Sequence, residues 1–210
     1  MKKVLTLGSF LVLCAALISS SALAGDGKAL FTKKFCVNCH GADGHSKTPQ
    51  YPHLAGQNKE YLVNQFNAII FGKRELGSSA LMKNHPKLKD FSPAEIEDIA
   101  TFLSGLKRVA TPGQVDPADV AKGEAMFKNM GCPECHGAGG KGMPLGSDPK
   151  FAAYPRLNGQ HGDYLFWQMK RILEGKRTNN HALTMRDKFK AEKLTDKELR
   201  SLASYLSTIE

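Results

Sequence analysis

Cysteine is scarce in this sequence, and the positions of the five cysteines in 210 residues exclude several kinds of protein. Cys14 lies in an apolar N-terminal stretch, and the other four form two C-x-x-C-H motifs, CVNCH at 36–40 and CPECH at 132–136. No cysteine remains for structural disulfides, so the chain is not a disulfide-stabilised scaffold. Alternating runs typical of strands are also lacking, and this predicts an all-α fold.

The long apolar run VLTLGSFLVLCAALI stands at the N-terminus. The letters MKK precede it, and Ala22 and Ala24 form an A-x-A-type cleavage site after it. This pattern predicts a signal peptide over residues 1–24 that is cleaved on export to the periplasm. A retained membrane anchor and a lipid on Cys14 are the alternatives, but polar, glycine-rich sequence follows the run at once.

The net positive charge of the chain limits the classes of molecule that it is expected to bind. The sequence has 29 Lys and Arg against 20 Asp and Glu, a net charge of +9, and loss of Lys2 and Lys3 with the signal peptide leaves +7. Such a surface suits an acidic protein partner or peripheral association with an anionic membrane surface, and a solvated surface with no dedicated partner is the third alternative. Because the basic residues are spread along an exported chain, we expect no nucleic-acid partner.

The mature chain is an internal repeat. Residues 51–82 align without a gap with residues 154–185 at an offset of 103, and residues 27–40 align with 123–136 at an offset of 96. The stretch RVATPGQVDPADV between the halves is typical of a linker. The sequence therefore predicts two homologous domains and a linker, with these bounds: N-terminal domain 25–110, linker 111–118, C-terminal domain 119–210.

Each half is predicted to contain three main helices. The first runs from about Asp26 or Asp119 into the C-x-x-C-H motif, and the second carries an apolar stripe that begins at Tyr61 or Tyr164. The stretches SPAE and TDKE have the spacing of a capping box and open the third helix. Domains this small are marginal unless a cofactor adds to the core.

The two C-x-x-C-H motifs predict covalently bound haem. Two thiols at this spacing can form thioether bonds with the vinyl groups of one porphyrin, and the next residue places its imidazole on the iron. A Cys₄ zinc site would leave both histidines unexplained, and a thioredoxin-like pair would need a βαβ context. We therefore predict two haem c groups, held by Cys36, Cys39, Cys132 and Cys135 with His40 and His136 as axial ligands.

A sixth ligand for each iron is predicted from the repeat. No histidine outside the motifs recurs at a matching position, whereas Met82 matches Met185. Both methionines are predicted to lie in polar loops between the second and third helices, where a matched pair favours iron ligation over core packing. His85, three residues after Met82, is the first alternative ligand.

Each half resembles a class I cytochrome c domain, and the tandem resembles the dihaem cytochrome c4 family. The resemblance covers the mature chain and rests on C-x-x-C-H, on YPxLxGQ before the second helix, on the repeated GKR and on the matched methionine. It implies that the carbonyl groups of Pro52 and Pro155 accept hydrogen bonds from the two ligand imidazoles and so orient the rings.

With histidine and methionine both bound, iron has no open position for a substrate, so the chain is expected to be an electron-transfer protein and not an enzyme. The resemblance implies a periplasmic carrier or relay between a quinol-oxidising complex and a terminal oxidase. One alternative is a fixed cytochrome subunit of a periplasmic dehydrogenase. A dihaem enzyme such as a peroxidase is another, and it needs a haem with a labile sixth ligand.

The short linker holds the halves at high effective concentration, so we expect them to pack together about a pseudo-two-fold axis. In a relay, the haem propionates would face the shared interface. Arg74 and Arg177 of the two GKR stretches either reach these propionates or are solvated beyond a helix end.

Overall fold

A computed structural model describes residues 26–144 and 146–210, and every regular element in these ranges is a helix, as predicted. The predicted signal peptide and Cys14 lie outside the described residues. The N-terminal half contains α1 (Gly27–Lys33), α2 (Val37–His40), α3 (Lys59–Ile70), α4 (Ser78–Lys83), a 3₁₀ turn (Leu88–Asp90) and α5 (Pro93–Ser104). The C-terminal half contains α6 (Pro117–Asn129), α7 (Pro133–His136), two 3₁₀ turns (Ala138–Gly140 and Pro149–Ala153), α8 (Gly162–Leu173), α9 (Ala182–Ala191) and α10 (Asp196–Thr208).

The first and last helices of each half cross at a glycine. A Cβ atom on Gly27 would stand 2.2 Å from the carbonyl oxygen of Asp98, and one on Gly123 would stand 2.0 Å from that of Ser201. Only glycine permits this approach, which brings Phe31 and Phe127 into the two cores. The repeat therefore preserves the helix crossing as well as the haem motif.

The predicted starts of the third helices are confirmed. Ser92 Oγ accepts a hydrogen bond from the backbone N–H of Glu95 at 3.2 Å, and Glu95 accepts one from the N–H of Ser92 at 2.9 Å. Glu198 accepts a matching bond from the N–H of Thr195 at 2.9 Å. These bonds satisfy N–H groups that the first turn of a helix leaves without partners.

The first helix of each half does not continue into C-x-x-C-H, contrary to the prediction. It ends at Lys33 or Asn129, and the motif lies on the separate short helices α2 and α7. The break is made by a residue with left-handed backbone, Phe35 (φ 64°) in one half and Gly131 (φ 67°) in the other. A residue with positive φ cannot continue a right-handed helix, and only the glycine signals this in the sequence.

The C-terminal half also begins its first helix earlier than predicted. Helix α6 starts at Pro117, because the side chain of Asp116 accepts a hydrogen bond from the N–H of Ala118 at 2.8 Å and caps it. Proline at the first helical position leaves no additional N–H group unpaired.

The prediction that Met82 and Met185 lie in loops is wrong. Met82 belongs to α4 and Met185 to α9. In α9 the buried residues Ala182 and Phe189 and the partly buried Met185 recur at helical spacing. The charged residues between them obscure this pattern in the sequence.

The two halves pack through reciprocal hydrogen bonds. The side-chain amide of Gln57 donates to the carbonyl oxygen of Arg156 at 2.8 Å, and its Oε1 accepts from the N–H of Arg156 at 2.7 Å. Gln160 forms the same pair of bonds with the backbone of His53, at 2.9 and 2.8 Å. Gln57 matches Gln160 and His53 matches Arg156 in the repeat, so the bonds are related by the predicted pseudo-two-fold axis.

A row of histidines also lies at the domain interface. The ring of His53 lies between those of His45 and His161, with centroid distances of 5.6 and 3.9 Å, and its Nε2 lies 2.7 Å from Thr111 Oγ1. Burial, together with the proximity of His161, His45 and Arg108, lowers the pKa of His53 to about 3. The interface therefore holds this imidazole in its neutral form near pH 7.

Phe35→Gly should be more stable than Phe35→Ala by about 1 kcal/mol, because both variants lose the ring but only glycine adopts the left-handed backbone without strain. Denaturant unfolding of the two haem-loaded variants measures the difference. Phe71, whose φ is −83°, is the matched control. There the usual order, alanine above glycine, is expected, and the same order at both positions would contradict the strain at Phe35.

His53→Gln should flatten the pH dependence of unfolding. The folded protein holds the pKa of His53 at about 3, below the value of about 6.5 in an unfolded chain, so the unfolded chain binds more protons between these values. Wild-type stability therefore falls as the pH is lowered through this window, by up to about 1.4 kcal/mol per pH unit from this residue. Unfolding free energies near pH 7 and pH 5 test this, and an equal loss in variant and wild type would contradict it.

Candidate functional site

No disulfide joins the four motif cysteines: Cys39 and Cys135 lie on α2 and α7, and Cys36 and Cys132 are the N-cap residues of these helices. Burial raises the pKa of Cys36 and of Cys132 to about 11, so these thiols are protonated near pH 7 before any attachment. Among residues 26–144 and 146–210, no group of three or more His, Cys, Asp or Glu side chains is arranged to hold a metal ion. The geometry therefore argues against a Cys₄ zinc site and suits thioether attachment.

The motif histidines are buried and oriented by a proline carbonyl. His40 Nδ1 lies 3.1 Å from the carbonyl oxygen of Pro52, and His136 Nδ1 lies 3.0 Å from that of Pro155. Burial lowers the pKa of both imidazoles, and the hydrogen bond only partly opposes it. Each neutral ring thus carries its proton on Nδ1, which leaves Nε2 as the nitrogen that can bind iron.

One apolar cavity runs through both halves and brings the predicted site residues together. It is lined by Cys36, Cys39, His40 and Met82 of the first half and by Cys132, Cys135, His136 and Met185 of the second. Its walls are mainly aliphatic and aromatic, with Phe31, Leu103, Leu165 and Leu206 among them. An apolar cavity with two thiols, an imidazole and a thioether in each half fits two porphyrins. His85 also lines this cavity and so stays the alternative to Met82.

Arg74 joins the two halves beside this cavity. Its guanidinium donates to Gln65 Oε1 in its own half at 2.9 Å. Across the interface it donates to the hydroxyl group of Tyr164 at 2.7 Å and to Gln168 Oε1 at 3.0 Å. The solvated position that the sequence allowed for this arginine is therefore wrong.

Arg177 makes the pseudo-symmetric set of bonds. It donates to Gln168 Oε1 at 3.0 Å, and across the interface to the hydroxyl group of Tyr61 at 3.2 Å and to Gln65 Oε1 at 3.1 Å. Within the described parts of the chain, neither Arg177 nor Arg74 forms an ion pair with a carboxylate. Two cations that line one cavity without an anion fit the propionates of two haems.

Tyrosine and glutamine side chains complete this network, and the sequence pattern did not indicate this role. Tyr61 and Tyr164 begin the predicted apolar stripe of the second helix, and Gln65 and Gln168 lie one turn further along it. Each of these residues recurs at the matching position of the other half, and this recurrence is the sequence signal from which they could have been predicted. A glutamine on an apolar stripe needs a buried partner, and here the partner is an arginine.

Comparison with known proteins identifies the family. The sequence model of the cytochrome c family matches residues 24–107 and 120–210. The cytochrome c4 of Pseudomonas aeruginosa is 33% identical over 195 residues, which are 90% of this chain and 88% of that protein. The cytochrome c4 of Azotobacter vinelandii is 34% identical over 200 residues, 90% of this chain and 89% of that one. The chain belongs to the dihaem cytochrome c4 family.

A solved structure agrees with this assignment. The crystal structure of reduced recombinant cytochrome c4 from Pseudomonas stutzeri has a TM-score of 0.72 and 32% identity, covering 89% of this chain and 98% of that one. A thiosulfate dehydrogenase electron acceptor from Thiomonas intermedia is more distant, 29% identical over 186 residues, 82% of this chain and 77% of that one. The chain therefore binds two covalently attached haem c groups and is an electron-transfer protein.

Replacing Arg74 and Arg177 with glutamine should lower both haem midpoint potentials. Removing a positive charge favours ferric iron, and one charge on the order of 10 Å away at an effective dielectric constant of about 20 contributes about 70 mV. A spectroelectrochemical titration measures the shift. Arg200→Gln is the control, because Arg200 lies over the ring of Phe166 and does not line the cavity. Unchanged potentials in the double variant would contradict this role.

Proposed function

We propose that the protein is a periplasmic one-electron relay that passes electrons from a quinol-oxidising complex to a terminal oxidase. His40 and Met82 hold one iron, and His136 and Met185 hold the other. The observation that carries the proposal is the pair of arginines that bond across the domain interface beside a cavity shared by both halves. This arrangement supports electron exchange between the two haems as well as with partners.

The residues of the chain have separate tasks in this relay. The cysteine pairs anchor each porphyrin, and Pro52 and Pro155 fix the planes of the imidazole rings. A thioether ligand favours ferrous iron, so the methionines raise the potentials relative to bis-histidine ligation. With both axial positions taken, the protein exchanges electrons through the haem edge and excludes substrate from the iron. Arg74 and Arg177 complement the propionate charges at the interface.

The predicted signal peptide supports a periplasmic location. None of the helices in residues 26–144 and 146–210 has the length and apolarity to cross a bilayer. The net charge of +7 that remains after removal of Lys2 and Lys3 supports encounter with acidic redox partners or with an anionic membrane surface.

A second function is supported by one class of relatives. Proteins named as thiosulfate dehydrogenase electron acceptors are 29% and 28% identical to this chain. The protein would then take electrons from a periplasmic dehydrogenase, either as a mobile acceptor or as a fixed cytochrome subunit. Stable co-purification with a catalytic subunit would distinguish the fixed subunit from the mobile relay.

The axial ligands are tested by spectra of the purified dihaem protein with and without carbon monoxide. The ferrous wild type should show no spectral change, because histidine and methionine close both iron positions. Met82→Ala and Met185→Ala should each make one haem bind carbon monoxide, and each should remove about half of the weak near-infrared band of methionine-bound ferric haem.

Met143→Ala is the matched control, since Met143 does not line the cavity. Carbon monoxide binding by the wild type would refute the closed relay site and favour a dihaem enzyme. A variant that keeps the full methionine band and excludes carbon monoxide would instead point to another ligand, His85 in the N-terminal half.

A further inference from the structure

We propose that a groove between the two halves, walled by Tyr51, Leu81, Trp167 and Arg171, is the docking site for an acidic redox protein. The groove is also lined by Gln50, Gly77, Ser78, Tyr164 and Gln168. This inference rests on the proposed relay and names the surface through which a partner exchanges electrons with the first haem.

The rim of the groove is apolar and open. Leu81 is 64% exposed, Trp167 is 45% exposed, and Leu76, beside Gly77, is 44% exposed. These are three of the seven large apolar side chains that the described residues leave exposed. Small ligands bind in concave pockets that bury most of their surface, whereas these half-exposed side chains suit the flat contact of a protein partner.

The matching positions on the pseudo-symmetric face of the molecule carry different side chains. There Tyr154, the counterpart of Tyr51, is covered by the ring of His181, which stacks on it at 4.5 Å and 16°. The position that matches His181 is Ser78, which has no ring to stack on Tyr51.

The apolar and cationic side chains of the groove are also missing from the other face. The residues that match Leu81, Trp167 and Arg171 there are Thr184, Asn64 and Ala68. The two halves have thus diverged at one surface, although they keep the same haem site.

Arg171 supplies the charge that selects an acidic partner. Its guanidinium lies 5.7 Å from the centroid of the Trp167 ring, and a Cβ atom on Gly77 would stand 2.2 Å from its Nη2. Within the described ranges Arg171 has no ion pair, and the nearby Glu174 lies 2.9 Å from Lys176 Nζ. A carboxylate from a partner would complement this exposed edge, and tryptophan, tyrosine and arginine are the residues enriched at interface hot spots.

The groove lies next to the first haem site. Tyr51 and Leu81 line both the groove and the haem cavity, and the ring of Tyr51 lies 6.4 Å from that of His40. A partner seated in the groove would therefore contact side chains that also line the haem cavity. The C-terminal haem is left for exchange with the other redox partner.

The test measures electron transfer from the reduced dihaem protein to a purified haem–copper oxidase by stopped flow at low salt. An acidic plastocyanin serves as the second oxidant. Trp167→Ala should weaken binding at least tenfold, the effect expected of a hot-spot residue. Arg171→Glu should lower the second-order rate constant about tenfold and reduce its dependence on salt.

Ser78→His is the sharpest variant, because it should close the groove. The new ring can stack on Tyr51 as His181 stacks on Tyr154, and docking should weaken; midpoint potentials measured in parallel show whether the haem environment has also changed. Leu183→Ala and Lys197→Glu are the matched controls, since Leu183 is 42% exposed and neither residue lines the groove. Both controls should react at the wild-type rate.

The outcomes distinguish a failure of the docking-site proposal from a failure of the relay proposal. Normal oxidation of the wild type by the oxidase, with equal rates for Trp167→Ala and Ser78→His, would overturn the groove and leave the relay standing. A wild type that the oxidase does not oxidise would refute the proposed acceptor. In that case the proposal that the groove is a docking site is supported only if the same variants slow the reaction with plastocyanin. It is refuted if they do not.

Discussion

Two guanidinium groups without a carboxylate partner determine how the two halves of this protein meet. Arg74 and Arg177 donate to tyrosine, glutamine and asparagine oxygens, and most of these bonds cross to the opposite half. Neutral acceptors orient an arginine but leave its charge uncompensated, which is costly beside an apolar cavity. We therefore propose that the anionic edges of the two cofactors lie beside this interface and complete it. Domain packing and haem binding are in this sense one interaction.

The small size of each half also makes its folding dependent on the cofactor. A few short helices bury little apolar surface, and no cysteine is available for a disulfide. Leu103 and Leu206 belong to the two hydrophobic cores and also line the cavity that runs through both halves, where a bound cofactor would contact them. The cofactors must supply those contacts, so the polypeptide and its haems form one core. Reciprocal bonds from Gln57 and Gln160 then hold the two cores in fixed register.

The sequence repeat allowed many features of the fold and the site to be predicted, but not all of them. Matched positions identified the helical fold, the paired methionines and the capping boxes, because these features follow from local chemistry that each half retains. Phe35 was missed because an aromatic residue does not signal a left-handed turn, although Gly131 at the matching position does. The helices that carry Met82 and Met185 were missed because charged residues interrupt their short apolar pattern. In its cross-domain hydrogen bonds, Arg74 pairs with residues that are 90 or more positions away in the sequence. No local pattern reveals such a contact.

The positions at which the two halves differ show which parts of the repeat are not required for cofactor binding. The residues predicted to hold the cofactor are matched in the two halves, as expected if each thiol, imidazole and cation has a partner on the haem. Surface positions carry no such requirement, and there His181 stacks on one tyrosine while Ser78 has no ring to stack on the other. A relay needs a direction, and two identical faces could not distinguish donor from acceptor. In the proposed relay, the groove beside Tyr51 provides that distinction without altering the coordination of either iron.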